Sequence, residues 1–171
     1  RAMLTTAFKH NGPAAVRYPR GSGIGLETAG QPLDTLPIGK GVIVRRIDET
    51  TPPERKIAFI CFGPLLYNAL AVADEMNATV VDMRYVKPLD EKLLLEIARA
   101  HDALVFVEDS AINGGAGSAC LESLSENNIQ IQSLLLGLPD EYVEHGELSL
   151  LLDRYGLSKE KIKQRVLARF S

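Results

Sequence analysis

The sequence predicts an α/β fold: a three-layer sandwich built on a mostly parallel sheet with an antiparallel edge strand. Three observations carry this expectation. Short apolar runs rich in β-formers recur at Lys56–Phe62, Thr79–Met83, Ala103–Val107 and Ile129–Leu136. Runs of this kind suit strands covered on both faces. Between them lie segments whose apolar residues return at helical spacing, and no hairpin signal joins one run to the next. Strand, helix, strand without a tight turn is a βαβ unit, which makes its strands parallel.

Taken in order, Ala2–Phe8 reads as the last turns of a helix, and Arg1 stands where a start methionine is absent, so a piece of something longer is expected. Gly12-Pro13 breaks that helix, and Ala14–Tyr18 is a compact β-run ending at Pro19. Residues 21–39 are rich in glycine and proline and have little periodic pattern, the composition of a surface linker. The expected division is therefore residues 1–20 as the tail of a preceding domain, 21–39 as linker and 40–171 as the linked module.

Val42–Ile47 has mixed faces and suits an edge strand, antiparallel because the polar connection that follows is too short for a crossover. Lys56–Phe62 stops at Gly63-Pro64, and proline is well placed in a first helical turn. Leu66, Leu70 and Ala73 mark that helix, which ends near Asn77. Lys87-Pro88-Leu89-Asp90 punctuates the chain before a second helix, Glu91–Ala100. Glu108-Asp109-Ser110 closes the third buried strand, and Asn113–Ser118 leads into a helix with Leu121 and Leu124 inward. Helices over Leu148–Tyr155 and Lys159–Phe170 end the chain, with Gly156 as the stop and Ser158 as the N-cap.

Composition narrows the function. Nineteen Lys+Arg against 22 Asp+Glu leave a net charge of −3 without a run of like charges, so neither nucleic acid nor a membrane is an expected partner. No apolar stretch has the length a bilayer requires, which predicts a soluble, cytoplasmic protein. Cys61 and Cys120 fall inside a strand and a helix and are expected as reduced core cysteines.

Several residues are candidates for chemistry. The Asn113–Ser118 loop would offer unpaired N–H groups to an anion, but Gly114-Gly115-Ala116-Gly117 lacks the dinucleotide G-x-G-x-x-G order and no Lys-Ser/Thr follows as in a phosphate loop. Close helix–sheet packing is the expected role, with an autonomous Rossmann-like nucleotide- or anion-binding module as the alternative. Asp82, Glu108 and Asp109 are expected at the carboxyl ends of neighbouring strands with Arg84 as a partner, an ion-pair network rather than a catalytic pair. His10, His101 and His145 have no metal-like spacing, and only His145 in its polar turn invites a check. Arg17 and Arg20 flank Tyr18-Pro19. Arginine is suited to phosphate because its planar fork binds two oxygens and stays charged, and a surface ion pair is the competing account. Three residues apart in a β-run, the two arginines should not share a site.

Together, Val16-Arg17-Tyr18-Pro19-Arg20-Gly21, Leu36-Pro37-Ile38-Gly39-Lys40-Gly41, Val81-Asp82-Met83-Arg84-Tyr85-Val86-Lys87-Pro88-Leu89-Asp90, Ala111–Ser118 and Gly137-Leu138-Pro139-Asp140 resemble the C-terminal part of the 1-deoxy-D-xylulose-5-phosphate synthase family. The Val81–Asp90 and Ala111–Ser118 motifs are shared more loosely with transketolase and the pyruvate dehydrogenase β subunit, and Arg17–Gly21 with Leu36–Gly41 points to the synthase family. The resemblance implies a homodimeric transferase that depends on thiamine diphosphate and Mg2+ and joins a two-carbon unit from pyruvate to D-glyceraldehyde 3-phosphate, releasing CO2. It implies that the cofactor and metal are bound by domains outside this chain, so that the fragment alone is inactive. The module would be a transketolase C-terminal-like domain that supports the dimer. Of the family's functional positions, the resemblance places one here: Arg20, reaching the substrate phosphate, with Arg17 structural.

Overall fold

Every residue of β2 (Ile57–Phe62) is buried, because this strand runs through the middle of the molecule with helices over both faces. The computed structural model describes residues 1–18, 30 and 32–170. Around β2 stand β1 (Val42–Arg45), β3 (Thr79–Asp82), β4 (Ala103–Ala111) and β5 (Gln132–Leu138), in the sheet order β1-β3-β2-β4-β5. β2 pairs in parallel with both β3 and β4, and β4 with β5. Only β1 is antiparallel, at the edge.

The helices are α1 (Ala2–Lys9), α2 (Leu66–Met76), α3 (Glu91–Ala100), α4 (Ala116–Glu126), α5 (Leu148–Arg154) and α6 (Lys159–Phe170). Alternate residues of a strand face opposite sides, and β2 divides accordingly. Ile57, Phe59 and Cys61 pack with Ala69, Val72 and Ala73 of α2 and Ile162, Val166 and Phe170 of α6. Ala58, Ile60 and Phe62 pack on the other face with Leu94 and Ile97 of α3 and Cys120 and Leu124 of α4. Two cores separated by one sheet make the three layers of an α/β sandwich.

Local signals set the helix ends. Asn77 takes a left-handed conformation (φ 49°) and stops α2. Asp90 caps α3, accepting from Leu93 N at 3.3 Å, and also accepts from Gly41 N at 3.1 Å, which ties the start of β1 to that helix. Gly156 (φ 74°) separates α5 from α6, and the Ser158 hydroxyl accepts from Lys161 N at 3.4 Å.

The structure corrects the sequence reading at five points. Ala14–Tyr18 is not a strand, since no neighbouring strand among the described residues offers it a ladder. β1 is antiparallel as expected, yet its partner is β3 and not β2, the next strand in sequence. Ile129 and Ile131 precede β5: Ile129 N donates back to Leu124 O at 2.9 Å, so these residues wrap the end of α4 and fill core space from a loop. β4 runs past Val107 to Ala111, with a register shift in that last stretch. Asp82 and Glu108 are on strands separated by β2, so the three acidic residues do not sit on adjacent strands.

Candidate functional site

From β2 the chain passes through α2 to β3 on one side, and from β3 through α3 to β4 on the other. The connections therefore part at the carboxyl ends of β2 and β4. In α/β sheets this switch point opens the crevice in which ligands lie. Here the crevice holds side chains of the protein itself.

The first is Arg17. Its Nη1 donates to Asp109 Oδ1 at 2.7 Å and its Nη2 to the Asp109 carbonyl oxygen at 2.6 Å, so the guanidinium fork grips one residue at two acceptors. Asp109 lies two residues before the carboxyl end of β4 on this edge. Gly63 follows β2 beside it with φ 86°, and a Cβ there would stand 3.1 Å from Asp109 Oδ1 and 4.0 Å from Arg17 Nη1. The glycine both permits the left-handed turn and leaves the ion pair its room. Ninety-two positions separate Arg17 from Asp109, so the contact joins the first residues of the chain to the module.

The second is Glu108, a carboxylate 2% exposed. It accepts from Ala116 N at 2.8 Å, Gly117 N at 3.0 Å and the Ser110 hydroxyl at 2.5 Å. The free N–H groups at the start of α4, which attract an anion in any helix, are satisfied by this internal anion. The glycines make the approach possible: a Cβ on Gly115 or Gly117 would lie 2.7 or 3.1 Å from Glu108 Oε1. The loop packs closely, as the sequence indicates, and the signal that could have identified its occupant is the glutamate just upstream of the glycines. Burial, and secondarily the Glu108 charge, push the Cys120 thiol up to about 12, so it stays protonated.

On the far side of β2, Asp82 pairs locally with Arg84. Arg84 N donates to Asp82 Oδ1 at 3.1 Å, and the guanidinium Nε lies 3.7 Å from Oδ2. Burial raises the Asp82 carboxyl above its ordinary range and Arg84 partly offsets it. Arg84 itself has φ 60°, and Tyr85 N donates to Met83 O at 2.5 Å across it, forming a γ-turn of the strained hand.

The histidines stay apart. His101 bonds Ile97 O through Nδ1 and Thr79 Oγ1 through Nε2, both at 2.8 Å, and is a packing residue. His10 follows α1, and His145 lies in the exposed stretch before α5. Arg20 lies outside the described residues. Cys61 and Cys120 are free and buried. Among the described residues no group of three His, Cys, Asp or Glu is placed to hold a metal ion, and no helix is long and apolar enough to cross a membrane. At the N-terminus of α4, Glu108 already takes the Ala116 and Gly117 N–H groups that a phosphate would need.

Comparison with known proteins agrees with this architecture. Across 170 residues the chain is 48% identical to 1-deoxy-D-xylulose-5-phosphate synthase of Bordetella parapertussis, which covers 99% of this chain and 26% of that protein. The same-named protein of Neisseria gonorrhoeae is 47% identical over 166 residues, 97% of this chain and 25% of the relative. The chain thus spans about a quarter of the length of the curated relatives it matches. A solved structure described as a split gene transketolase, inactive beta4 tetramer, superposes with a TM-score of 0.66 at 29% identity, over 81% of this chain and 44% of that one. The model of the transketolase C-terminal domain matches residues 48–162, from the turn after β1 into α6. The chain belongs to the transketolase C-terminal domain family.

Proposed function

We propose that this chain is the C-terminal portion of a 1-deoxy-D-xylulose-5-phosphate synthase. That enzyme condenses pyruvate with D-glyceraldehyde 3-phosphate to 1-deoxy-D-xylulose 5-phosphate and CO2, for isoprenoid, thiamine and pyridoxal phosphate synthesis. The observation that carries the reading is identity near one half over almost the whole chain to proteins of that name. On this reading residues 1–20 end the pyrimidine-binding domain, 21–39 link, and 40–171 form the domain that supports a cytoplasmic homodimer. Thiamine diphosphate and Mg2+ belong to the domains that precede it, and the fragment alone is inactive.

Arg20 is the residue of this chain that meets substrate. Its guanidinium offers two parallel donors to the phosphate of the aldehyde, and its charge does not titrate at working pH. The docking of Arg17 at the switch-point crevice supports this role, because Arg17, three positions before Arg20 in the sequence, stands at the sheet edge where such folds take ligands.

The alternative, an autonomous nucleotide- or anion-binding module at the glycine loop, requires free N–H groups at the start of α4, and Glu108 takes those of Ala116 and Gly117. Calorimetric titration of this chain with Mg2+–thiamine diphosphate, NAD and ATP tests the choice. The supporting-domain reading expects no saturable heat from any of them. Saturable heat from a nucleotide would transfer the function to the glycine loop.

A further inference from the structure

The two edges of the sheet are built differently. β1 is four residues long, and its register against β3 shifts between Ile43 and Arg45. Arg45 within it and Arg46 after it carry charge, and Arg45 Nε donates to Asp74 Oδ1 at 2.7 Å. A short, irregular, charged edge strand resists pairing with another chain. β5, the opposite edge, is seven residues long and keeps an unbroken register with β4 from Gln132 to Leu136. No charged residue occurs from Asn127 to Pro139. Alternate backbone groups of an edge strand point away from its one neighbour and call for a partner. Arg165 Nη2, 3.5 Å from Leu135 O, stands only at the outer limit of a hydrogen bond.

Beside this edge runs a groove of about 460 Å³ between α4 and the start of β5. Leu121, Leu124, Ile129, Ile131 and Ser133 line it, and none of its lining residues is charged. Ile131 and Leu135 lie on the α4 side of the sheet, packed against the second core. We propose that β5 pairs antiparallel with the β5 of a second copy of this chain, across a two-fold axis normal to the sheet, so that two five-stranded sheets join edge to edge. Such an axis keeps the faces matched, and Ile131 and Leu135 of each copy then extend the apolar face of the other over its groove. A second copy is the fitting occupant because β5 is uncharged throughout, so pairing with itself sets no like charges against each other. The contact also closes. Once two β5 strands have paired, the remaining sheet edges are the two protected β1 strands, and growth stops at two copies. The inference rests on the homodimer reading and names the contact through which the copies meet.

The test uses the full-length protein with Gln132→Cys or Ser133→Cys on β5, and Val44→Cys on β1 as the comparison. A cross-link between identical positions forms only between two copies, and Cys61 and Cys120 are buried. Residues opposite each other across a strand pair lie about 5 Å apart and their diagonal neighbours about 7–8 Å, within reach of a short bifunctional thiol reagent. Gln132→Cys and Ser133→Cys should each link to their own copy at a rate independent of protein concentration, and Val44→Cys only by random collision. Adding Gln132→Lys to Ser133→Cys sets like charges across the pair and should slow the linking about 2- to 10-fold. If one cysteine variant fails to fold, the other remains as the test. No linking from the folded β5 variants, or an equal rate from Val44→Cys, overturns the pairing. Sedimentation separates the two ways of failing. A dimer without β5 linking overturns the pairing alone and leaves the edge to another segment of the protein. A monomer overturns the homodimer reading and the pairing with it.

Discussion

Removing the Glu108 carboxylate should destabilise the fold more than any other single polar change in the module. In Glu108→Ala the N–H groups of Ala116 and Gly117 lose acceptors now at 2.8 and 3.0 Å, inside a site where the glutamate is 2% exposed. A buried donor left without a partner costs about 1–3 kcal/mol, more when the lost partner was charged. The Ser110 hydroxyl, only partly buried, can turn to water and adds little. Two orphaned donors give about 4 kcal/mol, reduced somewhat because the desolvation of a buried carboxylate disappears with it. Glu108→Gln keeps one oxygen for one N–H but sets its amide donors against the other, for about 2 kcal/mol. Urea unfolding at constant m reads both values from the shift in midpoint. A loss below about 1 kcal/mol for Glu108→Ala, or a larger loss for Gln than for Ala, would refute the account of the glycine loop as the seat of an internal anion.

Three further outcomes are expected. Burial holds the His101 imidazole below its ordinary 6.5, so its contribution is complete above that value and is lost as pH falls through the lowered folded value. Urea midpoints should fall on the acid side of pH 6.5, and His101→Gln should flatten the decline. Lys159 and Lys163 each donate to Glu75 at 2.6 Å and push its carboxyl down to about 2. This carboxyl stays ionised well below pH 4 and loses its tie from α2 to α6 only as pH falls through about 2, which a carbon-detected NMR titration of Glu75 measures. Lys159→Met should return its midpoint towards 4.5. Leu157 is fully buried between α5 and α6, and Leu157→Ala should lower stability by about 2–5 kcal/mol in thermal or urea unfolding.

The parallel sheet, the antiparallel edge strand and the positions of α2, α3 and α6 are legible in the sequence because each rests on a local signal. These are the apolar run of Ile57–Phe62, Asp90 ahead of α3, and Gly156 with Ser158 ahead of α6. What escapes local reading depends on distant partners. Ala14–Tyr18 has β-forming residues, but a strand exists only through its neighbour. The order of β1, β3 and β2 is set by how crossovers pack, which the short polar connection after β1 does not encode. The Arg17–Asp109 pair spans 92 positions and has no signature short of the fold itself. Glu108 is an intermediate case. Its acidity and its place before Gly114-Gly115-Ala116-Gly117 are in the sequence, while the register shift after Val107 is a property of the sheet.

The most direct measurement of the central claim is the steady-state kinetics of Arg20→Ala in the full-length synthase, with pyruvate and D-glyceraldehyde 3-phosphate varied in turn. A charge-assisted hydrogen bond to phosphate is worth about 1.5–3 kcal/mol, so KM for the aldehyde should rise about tenfold to a hundredfold, far more than KM for pyruvate. An unchanged aldehyde KM would contradict the claim that this chain contributes the arginine that reads the substrate's phosphate.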